Sequence, residues 1–522
     1  MRNTILLAVA AAVAASCVAR GGDAVDGQDG LKSWGDQGNG TYINPILAAD
    51  YSDPDAIRVG DTYYLVASDF HFMGDQILKS VDLVNWELVA RLYDRIDMPG
   101  YGSGERYAAG SWAPSIRFHD GKFYVFFCSP TEGLYMTCAE HPEGPWSKLL
   151  LVAEGNTGRG WEDPCPFWDE DGSAYLGHSL VGAGPIIIHR MSPDGTRLLD
   201  DGVEVYRGPV AEGTKFHKID GWYYLSIPEG GVGGGNQVIL RSRNIYGPYE
   251  KKVVHEQGMT DVNGPHQGAL VDTPDGNWWF MHFQDTPVLG RVVHLQPVHW
   301  SDGWPVIGVD IDRNGVGEPV YCWKMPVAGT VPSKPVSSDD FSSSELGLQW
   351  QFNHNAVDGG WSLTEKPGYL SIHALAADDF RTAHNTLTQK LMGYAGSATV
   401  RVDVTDLADG QRCGLAVMGD EDYLIGVCRN GGALELFRDN GAETVESTAF
   451  SGRSVWLQFR FDIRAEEFSL AYSDDGMEYV ELGGAILPHA GFWKGVRPAL
   501  FSYNTLTDGG TAHFDSFELL YD

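Results

Sequence analysis

Three acidic residues stand in similar short motifs at widely separated points of the chain: Asp53 in "SDP", Asp163 in "EDP" and Glu212 in "AEG". Carboxyl groups that converge in a dehydrated pocket repel one another, so the pKa of one rises while another stays ionised. An acid and a base side by side are what the hydrolysis of a glycosidic bond requires. Since a single Asp before Pro commonly only starts a turn, this chemistry depends on whether the fold brings the three residues together.

The elements that must position these residues form a repeat. Each of five segments has a short motif, an apolar run, a Gly-Asp or Asp-Gly turn and a strand rich in Tyr, Trp or Phe, which is the pattern of a β-hairpin. The motifs are anchored, about 50 to 60 residues apart, at Asp53, Trp112, Asp163, Glu212 and His266. A period of about 50 residues with several strands per unit is typical of propeller blades. We therefore predict an all-β chain in which residues 40–328 form a five-bladed β-propeller.

The propeller geometry predicts one central pocket. Because the innermost strands of all blades converge on one axis, residues at the same place in each repeat lie near that axis, at the same end. The three acidic residues should therefore meet there. Phe70, Trp112 and Phe167 stand near the anchors, where their rings could line a sugar-binding subsite or pack between the blades.

A second all-β unit follows the repeats. The Pro- and Ser-rich stretch "PVAGTVPSKPVSSDDFSSSE" indicates a linker. Beyond it, stretches such as "SATVRVDV" and "VWLQFRFDI" alternate apolar and polar residues, as strands of a β-sandwich do. We assign residues 329–522 to a linker and a β-sandwich of jelly-roll-like type.

The charge of the chain restricts its partners. Its 522 residues contain 70 Asp and Glu against 37 Lys and Arg, a net charge of −33. Such an acidic surface repels phosphate backbones and anionic membrane faces, which argues against nucleic acid as a partner. A neutral or cationic ligand fits this charge better.

The N-terminus has the pattern of an export signal. Arg2 is followed by an apolar run over residues 5–15, shorter than the roughly 20 residues that a membrane span needs. The stretch "AASC" then ends at Cys17, as in a bacterial lipoprotein cleavage site, although an ordinary signal peptide cut nearby has a similar pattern. We predict a signal peptide over residues 1–17, a linker over 18–39, and a protein that is exported, either as a periplasmic or outer-membrane lipoprotein or as a secreted enzyme.

Taken together, the motifs of residues 40 to 325 resemble glycoside hydrolase family 43. The matching stretches are "NPILAADYSDPDAIRVGDTYYLVAS", "SVDLVNW", "GSWAPSIRFHDGKFYVFF", "EDPCPFWDEDGSAYL", "AEGTKFHKIDGWYYL" and "GRVVHLQPVHWSDGWP". The resemblance implies a five-bladed propeller that removes xylose or arabinose from plant cell-wall polysaccharides with inversion of configuration and without a catalytic cofactor. It further implies that Asp53 is the general base, Glu212 the general acid, and Asp163 the residue that orients Glu212 and tunes its pKa.

The resemblance also implies residues that bind the substrate. Arg291 stands where the family places an arginine on substrate hydroxyls, and the fork of donors in its guanidinium group fits a vicinal diol. His266 stands where many relatives have an axial histidine near a bound ion or water. Glu229 matches a position that lines the pocket wall.

The second unit resembles the C-terminal sandwich attached to many exo-acting enzymes of this family. In relatives this domain reaches across and narrows the pocket, which favours release of single terminal or branching sugars. Asp339 or Asp340 near its start and Asp515 near its end could share a structural calcium ion, since hard oxygen ligands from both ends would tie the sandwich together. The alternative interpretation is that these acidic residues lie in solvated turns.

Other functions compete with this interpretation. A non-catalytic glycan-binding propeller on the cell surface would be expected to lack at least one of the three carboxyl groups, and a scaffolding protein would need none of them. Among enzymes, β-xylosidase and α-L-arabinofuranosidase share this site, and the sequence leaves the choice between them open.

Overall fold

The computed structural model describes residues 32–97, 100–102, 106, 108–155, 160–441 and 443–522, and the regular structure of these residues is entirely β. The prediction of an all-β fold is therefore confirmed. Within these ranges no helix is long and apolar enough to cross a bilayer.

Five antiparallel sheets of four strands each form the blades, and within each sheet the strands pair in their order along the chain. Two short strands precede them, β1 (Gly35–Asp36) and β2 (Thr41–Ile43). Blade I contains β3 (Ser52–Val59), β4 (Thr62–Ser68), β5 (Gly74–Ser80) and β6 (Glu87–Tyr93). Blade II contains β7 (Trp112–His119), β8 (Lys122–Ser129), β9 (Gly133–Ala139) and β10 (Leu150–Glu154). Blade III contains β11 (Trp161–Trp168), β12 (Ala174–Leu180), β13 (Ile186–Met191) and β14 (Val203–Tyr206). Blade IV contains β15 (Lys215–Ile219), β16 (Trp222–Glu229), β17 (Asn236–Ser242) and β18 (Glu250–His255). Blade V contains β19 (His266–Asp272), β20 (Trp278–Thr286), β21 (Gly290–Ser301) and β22 (Trp304–Ile307).

The predicted hairpins form as their turn residues dictate. Asp120 and Gly121 connect β7 to β8, with φ values of 47° and 76°. Asp220 and Gly221 connect β15 to β16, with φ values of 51° and 72°. A two-residue turn that matches the twist of its strands needs φ > 0 at both positions, which Asp and Gly tolerate.

The blades close into a ring because the first strands of the chain meet the segment that follows the last blade. The inner strand of blade V, β19, packs against β3 of blade I. Beyond blade V, β23 (Cys322–Lys324) pairs with β2, so that β1, β2 and β23 form one small sheet. A further bridge joins Leu47 to Val293 of β21. Both contacts are made by the segment of chain that leads into Asp53.

Two sheets form the C-terminal sandwich. Their strands begin with β24 (Gln351–Phe352), β25 (Trp361–Ser362), β26 (Leu370–His373), β27 (Leu375–Ala376), β28 (Leu387–Thr388), β29 (Ala395–Asp403), β30 (Gln411–Met418) and β31 (Tyr423–Asn430). They continue with β32 (Ala433–Asn440), β33 (Glu443–Phe450), β34 (Ser454–Asp462), β35 (Glu467–Ser473), β36 (Val480–Ala485), β37 (Arg497–Asn504) and β38 (Thr511–Tyr521). One sheet has the order β24-β28-β37-β30-β31-β32-β33, with β27 also on β37, and the other has the order β25-β26-β38-β29-β34-β35-β36. Their facing sides supply one apolar core, as alternation along the strands predicts.

A segment of the sandwich binds the propeller directly. The backbone N–H of Ala490 donates to Pro287 O over 2.6 Å, and that of Val496 donates to Val288 O over 2.8 Å. At this contact a Cβ on Gly290 would lie only 2.6 Å from the backbone nitrogen of Gly495. The turn between β36 and β37 is therefore fixed against the start of β21, beside the propeller axis.

Candidate active site

A local distortion at the start of the innermost strands points side chains at the propeller axis. The strand register shifts immediately after the first pair in blades I, II and V and after the second pair in blade III, as in a β-bulge. The residue inside each bulge has left-handed backbone geometry: Asp53 (φ 51°), Ala113 (40°), Asp163 (53°) and Gln267 (55°). In blade IV Gly213 (φ 62°) takes this place just before β15. Because the bulge belongs to the blade itself, each repeat delivers the residue at this position to the same end of the axis.

The prediction that the three acidic residues share one position is wrong by one residue for Glu212. Asp53 and Asp163 occupy the left-handed position, whereas Glu212 stands one residue before it, as do Trp112 and His266. Proline follows the left-handed residue in blades I to III, but blades IV and V have Thr and Gly there. An alignment of the motifs by their acidic residues therefore differs by one residue from an alignment by backbone conformation. The carboxyl groups still converge, because neighbouring positions of adjacent bulges face the same pocket.

Asp53 is buried and held by two donors. The hydroxyl of Ser68 donates to one oxygen over 2.6 Å, and Nη1 of Arg291 donates to the other over 2.7 Å. The backbone N–H of Ala113 donates to the Ser68 hydroxyl over 2.6 Å, so that hydroxyl is fixed in its role as a donor to Asp53. A cation and a hydroxyl on opposite oxygens are the partners that a charged carboxylate binds.

Arg291 lies between both domains. Its guanidinium carbon is 4.7 Å from the ring centre of Phe283 and 5.5 Å from that of Trp493. Its backbone N–H donates to Asp50 over 3.1 Å. The direct partner of Arg291 is thus Asp53, and its predicted contact with substrate hydroxyls stays a prediction.

Asp163 is buried and accepts hydrogen bonds from three directions. The backbone N–H of Gly213 donates over 2.6 Å, Nε2 of Gln267 over 3.3 Å and the hydroxyl of Ser179 over 3.4 Å. Gly213 has to be glycine, since a Cβ there would lie 2.5 Å from a ring carbon of Pro228. The residue after Glu212 therefore fixes Asp163 and Glu212 relative to each other. Sequence reasoning missed Ser179 and Gln267, which no motif marks.

Three carboxyl groups share one small volume. Oxygen atoms of Glu162, Asp163 and Glu212 all lie within 4.8 Å of one another. Burial, followed by the negative charges of Asp163, Glu162 and Asp53, raises the pKa of Glu212 to about 9. Burial and then the charge of Asp53 raise the pKa of Asp163 to about 6, while its hydrogen bond from Gly213 opposes the rise. At neutral pH the site thus holds a protonated Glu212 beside an ionised Asp163.

Aromatic rings from both domains form one wall of the site. Phe70 packs edge-on against Trp112 with ring centres 5.4 Å apart. Trp112 in turn contacts Trp493 of the sandwich at 6.2 Å. Trp493 remains 55% exposed, so its free face is open to a ligand. The expectation that the second domain reaches the pocket is confirmed, through a residue that the sequence did not single out.

Two other candidate residues have different partners. Phe167 stacks on Phe216 with ring centres 5.4 Å apart. It lines a cavity of about 320 Å³ formed by the second halves of the five inner strands, at the opposite end of the axis. Glu229 is bound by Nζ of Lys251 over 2.6 Å and by the hydroxyl of Tyr206 over 2.5 Å. The structure therefore places Phe167 in packing between blades and Glu229 in an ion pair within blade IV.

His266 is buried near the pocket. Its Nδ1 bonds to the backbone oxygen of Gly264, and its Nε2 has no hydrogen-bond partner among the described residues. Burial lowers the pKa of His266 to about 4, with Arg291 adding to the effect and Asp53 opposing it. In a neutral imidazole this nitrogen can bind a water molecule or an ion, which is compatible with the position predicted from the sequence.

The two residues predicted to hold calcium have other partners. Asp515 accepts a hydrogen bond from Nη1 of Arg401 over 2.6 Å, so a guanidinium group stands where a metal was expected. Asp340 accepts hydrogen bonds from the backbone and the hydroxyl of Ser342 in a local turn. A calcium ion shared by these carboxylates stays a prediction.

Comparisons with known proteins give the chain a family. The model of "Glycosyl hydrolases family 43" matches residues 42–305. The model of "Beta xylosidase C-terminal Concanavalin A-like domain" matches residues 338–519. The two matches correspond to the propeller and to the sandwich.

Named relatives agree with these models. A protein of Xylanibacter ruminicola named putative beta-xylosidase is 53% identical, over 89% of this chain and 87% of its own length. A Bacteroides ovatus protein named non-reducing end alpha-L-arabinofuranosidase is 32% identical, over 78% of this chain and 80% of its own. A solved structure described as a bifunctional GH43-CE of Bacteroides eggerthii superposes with a TM-score of 0.80 and 31% identity over 92% of this chain, which spans 63% of that longer protein.

The raised pKa of Glu212 generates a prediction about stability. The unfolded chain ionises Glu212 above its ordinary pKa of 4.5, whereas the folded chain keeps the proton up to about pH 9. The associated stability is therefore fully present below pH 4.5 and is lost as the pH rises toward 9. Glu212→Gln, which mimics the protonated form, should raise the free energy of unfolding by about 1–3 kcal/mol at pH 8 and by much less at pH 5.

The measurement is denaturant unfolding of both proteins at the two pH values. Glu170→Gln is the matched control, because it removes the same charge from a side chain that is 87% exposed beyond the far end of β11. An equal gain at pH 5 and pH 8 would show that Glu212 is not protonated in the folded protein.

Proposed function

The chain belongs to glycosyl hydrolases family 43, and on that premise we propose that it is an exo-acting, inverting enzyme that releases terminal or branching pentose from plant hemicellulose. The pentose is a β-1,4-linked xylosyl or an α-L-arabinofuranosyl unit. The observation that carries the proposal is that Glu212, whose pKa is raised to about 9, and Asp53, whose carboxyl group is bound by Arg291, lie at one end of the propeller axis.

Glu212 acts as the general acid in this proposal. Cleavage of a glycosidic bond places negative charge on the leaving oxygen, and a carboxylic acid within reach can neutralise it. Asp163 keeps that proton available, because its own negative charge raises the pKa of Glu212. The N–H of Gly213 holds Asp163 in place and also fixes the backbone that carries Glu212.

Asp53 acts as the general base. In an inverting mechanism the base activates a water molecule, so room for that water must exist between the base and the sugar. Ser68 and Arg291 hold the Asp53 carboxylate and so orient its remaining lone pairs.

The aromatic wall supports exo action. Trp493 of the sandwich stands against Trp112 of blade II, so the second domain covers one side of the entrance. A pocket closed on one side admits a chain end or a single branch more readily than the middle of a polymer. The turn that carries Trp493 is hydrogen-bonded to blade V at Pro287 and Val288, which keeps this wall in place.

The choice of pentose follows the relatives. The protein at 53% identity is named a putative xylosidase, and the one at 32% an arabinofuranosidase, so xylose is the first candidate. A non-catalytic glycan-binding propeller is not favoured, because the acid, the base and the tuning carboxylate are all in place. The mechanism uses the carboxyl groups of the chain and no cofactor, and a calcium ion at Asp340 and Asp515 stays a prediction from the sequence.

We also propose that the protein is exported and carries a lipid on Cys17, which would be its link to a membrane. This rests on the sequence of residues 1–17, which lie outside the described residues. Cys17→Ser should leave the enzyme in the soluble fraction of expressing cells, whereas the unaltered protein should sediment with membranes and incorporate labelled palmitate. Soluble, unlabelled protein in both cases would point to an ordinary signal peptide.

The acid assignment predicts a dependence on the leaving group. Glu212→Ala should slow the hydrolysis of xylobiose or arabino-oligosaccharides about 10²–10⁴-fold. It should slow a dinitrophenyl pentoside far less, because that leaving group needs little proton assistance. Steady-state rates on both substrates test this, with Glu170→Ala as the control on an exposed glutamate. Equal losses on the two substrates would contradict the assignment.

The base assignment predicts the stereochemistry, and the covered pocket predicts the product. Proton NMR in the first minutes of hydrolysis should show a pentose of inverted configuration, since water activated by Asp53 attacks the face opposite the leaving group. Chromatography of the same samples should show monosaccharide from the start. A retained configuration would make Asp53 a nucleophile, and oligosaccharides appearing first would indicate an open groove.

A further inference from the structure

Glu162 is the structural counterpart of Glu212 in the adjacent blade. In blades II and V the residue before the left-handed position pairs with the second strand of its blade, as Trp112 does with Cys128 and His266 with Phe283. Glu162 makes the same pairing with Ser179 in blade III. Glu212 precedes Gly213, which is the left-handed residue of blade IV. The repeat thus delivers two glutamates from neighbouring blades to the same end of the axis.

The carboxyl group of Glu162 is held close to the acid. Its Oε2 accepts a hydrogen bond from the backbone N–H of Ala183 over 3.1 Å, in the turn between β12 and β13. Its oxygens lie within 4.8 Å of those of Asp163 and Glu212. The side chain is half-buried, so it shares the poorly solvated environment of the acid. At this separation two carboxyl groups cannot both ionise without a large electrostatic cost.

We propose that Glu162 is a positioning residue for the general acid: its carboxyl group, fixed by the turn of blade III, keeps the proton on Glu212 as the pH rises. The proposal rests on the assignment of Glu212 as the general acid. Glu162 is the first residue of the "EDP" motif, but the comparison with the other blades rests on the Asp that follows it.

The electrostatics around the pair support this role. Burial and then the charge of Asp163 raise the pKa of Glu162 to about 8, with Asp53 adding to the rise. The charge of Glu162 in turn raises the pKa of Glu212, whereas Arg291 lowers it. The thiol of Cys128, whose pKa burial raises, also faces Glu162 and Asp163. Two coupled acids lose their protons in two steps, and the first ionisation makes the second harder.

The order of these steps explains why a second glutamate matters when Asp163 is already present. Asp163 is ionised above a pH of about 6, so its effect on Glu212 is constant over the alkaline range. The ionisation that follows in the alkaline range belongs to Glu162 and Glu212 together, and a charge on Glu162 raises the pKa of Glu212. Glu162 therefore extends the active form of the acid toward higher pH.

The test is the pH dependence of kcat/KM for Glu162→Gln, measured on a substrate with a poor leaving group such as xylobiose and on a dinitrophenyl pentoside. The glutamine keeps the shape and the hydrogen bond to Ala183 but cannot ionise. On xylobiose the alkaline limb should move to lower pH by about one unit. On the dinitrophenyl substrate, which needs little proton assistance, the alkaline limb should stay where it is in the unaltered enzyme.

Glu170→Gln serves as the matched control, since it removes one negative charge beyond the far end of the same strand and should leave both profiles unchanged. An alkaline limb of Glu162→Gln that coincides with that of the unaltered enzyme on xylobiose would overturn the proposal, even if kcat fell. If only Glu162→Asp folds, an unmoved limb in that variant also overturns it, because the shorter side chain withdraws the carboxyl group from Glu212.

The failure of the proposed function looks different. An unaltered enzyme that does not hydrolyse pentosides, or whose alkaline limb is identical for good and poor leaving groups, would remove Glu212 as the acid. The role of Glu162 alone would be removed by a different result. In that case the unaltered enzyme shows an alkaline limb only with poor leaving groups, and Glu162→Gln shows the same limb at the same pH.

Discussion

Repulsion between carboxyl groups gathered at one end of the propeller axis is the interaction on which the rest of the site depends. Glu162, Asp163 and Glu212 lie within 4.8 Å of one another and are poorly solvated, so they cannot all carry charge. The donors around them decide which one does. Three hydrogen bonds favour the charge on Asp163, and that charge keeps the proton on Glu212. The closed ring of blades supplies the force that holds this arrangement together, because the repulsion alone would push the groups apart.

The sandwich domain completes this arrangement from two sides. Lys390 binds Asp69 over 2.9 Å, directly before Phe70 in blade I. On the other side, the turn that carries Trp493 is hydrogen-bonded to the loop that leads into Arg291. Blades I and V, which meet where the ring closes, are therefore both attached to the second domain. Because the partner of Asp53 is in blade V, the two domains together define the geometry around the base.

Much of this architecture is encoded locally, and that part could be predicted from the sequence. The Gly-Asp and Asp-Gly turns fix the hairpins, and five such turns at a regular period fix the blades. The approximate convergence of Asp53, Asp163 and Glu212 follows from that period. The exact position of Glu212 does not, because the bulge is a backbone feature and the proline that marks it is absent from blades IV and V.

Other features depend on contacts that no local pattern records. Trp493 enters the site from the second domain, far along the chain. Phe167 is only four residues after Asp163, but in an extended strand that is about 13 Å, which carries it to the opposite end of the axis. Asp515 lies next to Arg401 of the neighbouring strand, a pairing that acidic residues near both ends of the domain do not reveal.

The repeated bulge has a consequence for how such an enzyme can change over time. Each blade presents two consecutive positions to the same end of the axis, which makes ten positions in the ring. The side chains at most of these positions can change while the backbone of the blades stays the same. In this chain they hold Ser-Asp, Trp-Ala, Glu-Asp, Glu-Gly and His-Gln. The glycine is dictated by sterics, since a Cβ there would meet Pro228. New specificities can therefore arise by exchanging single side chains around a fixed ring, without any need to remodel the loops that connect the blades.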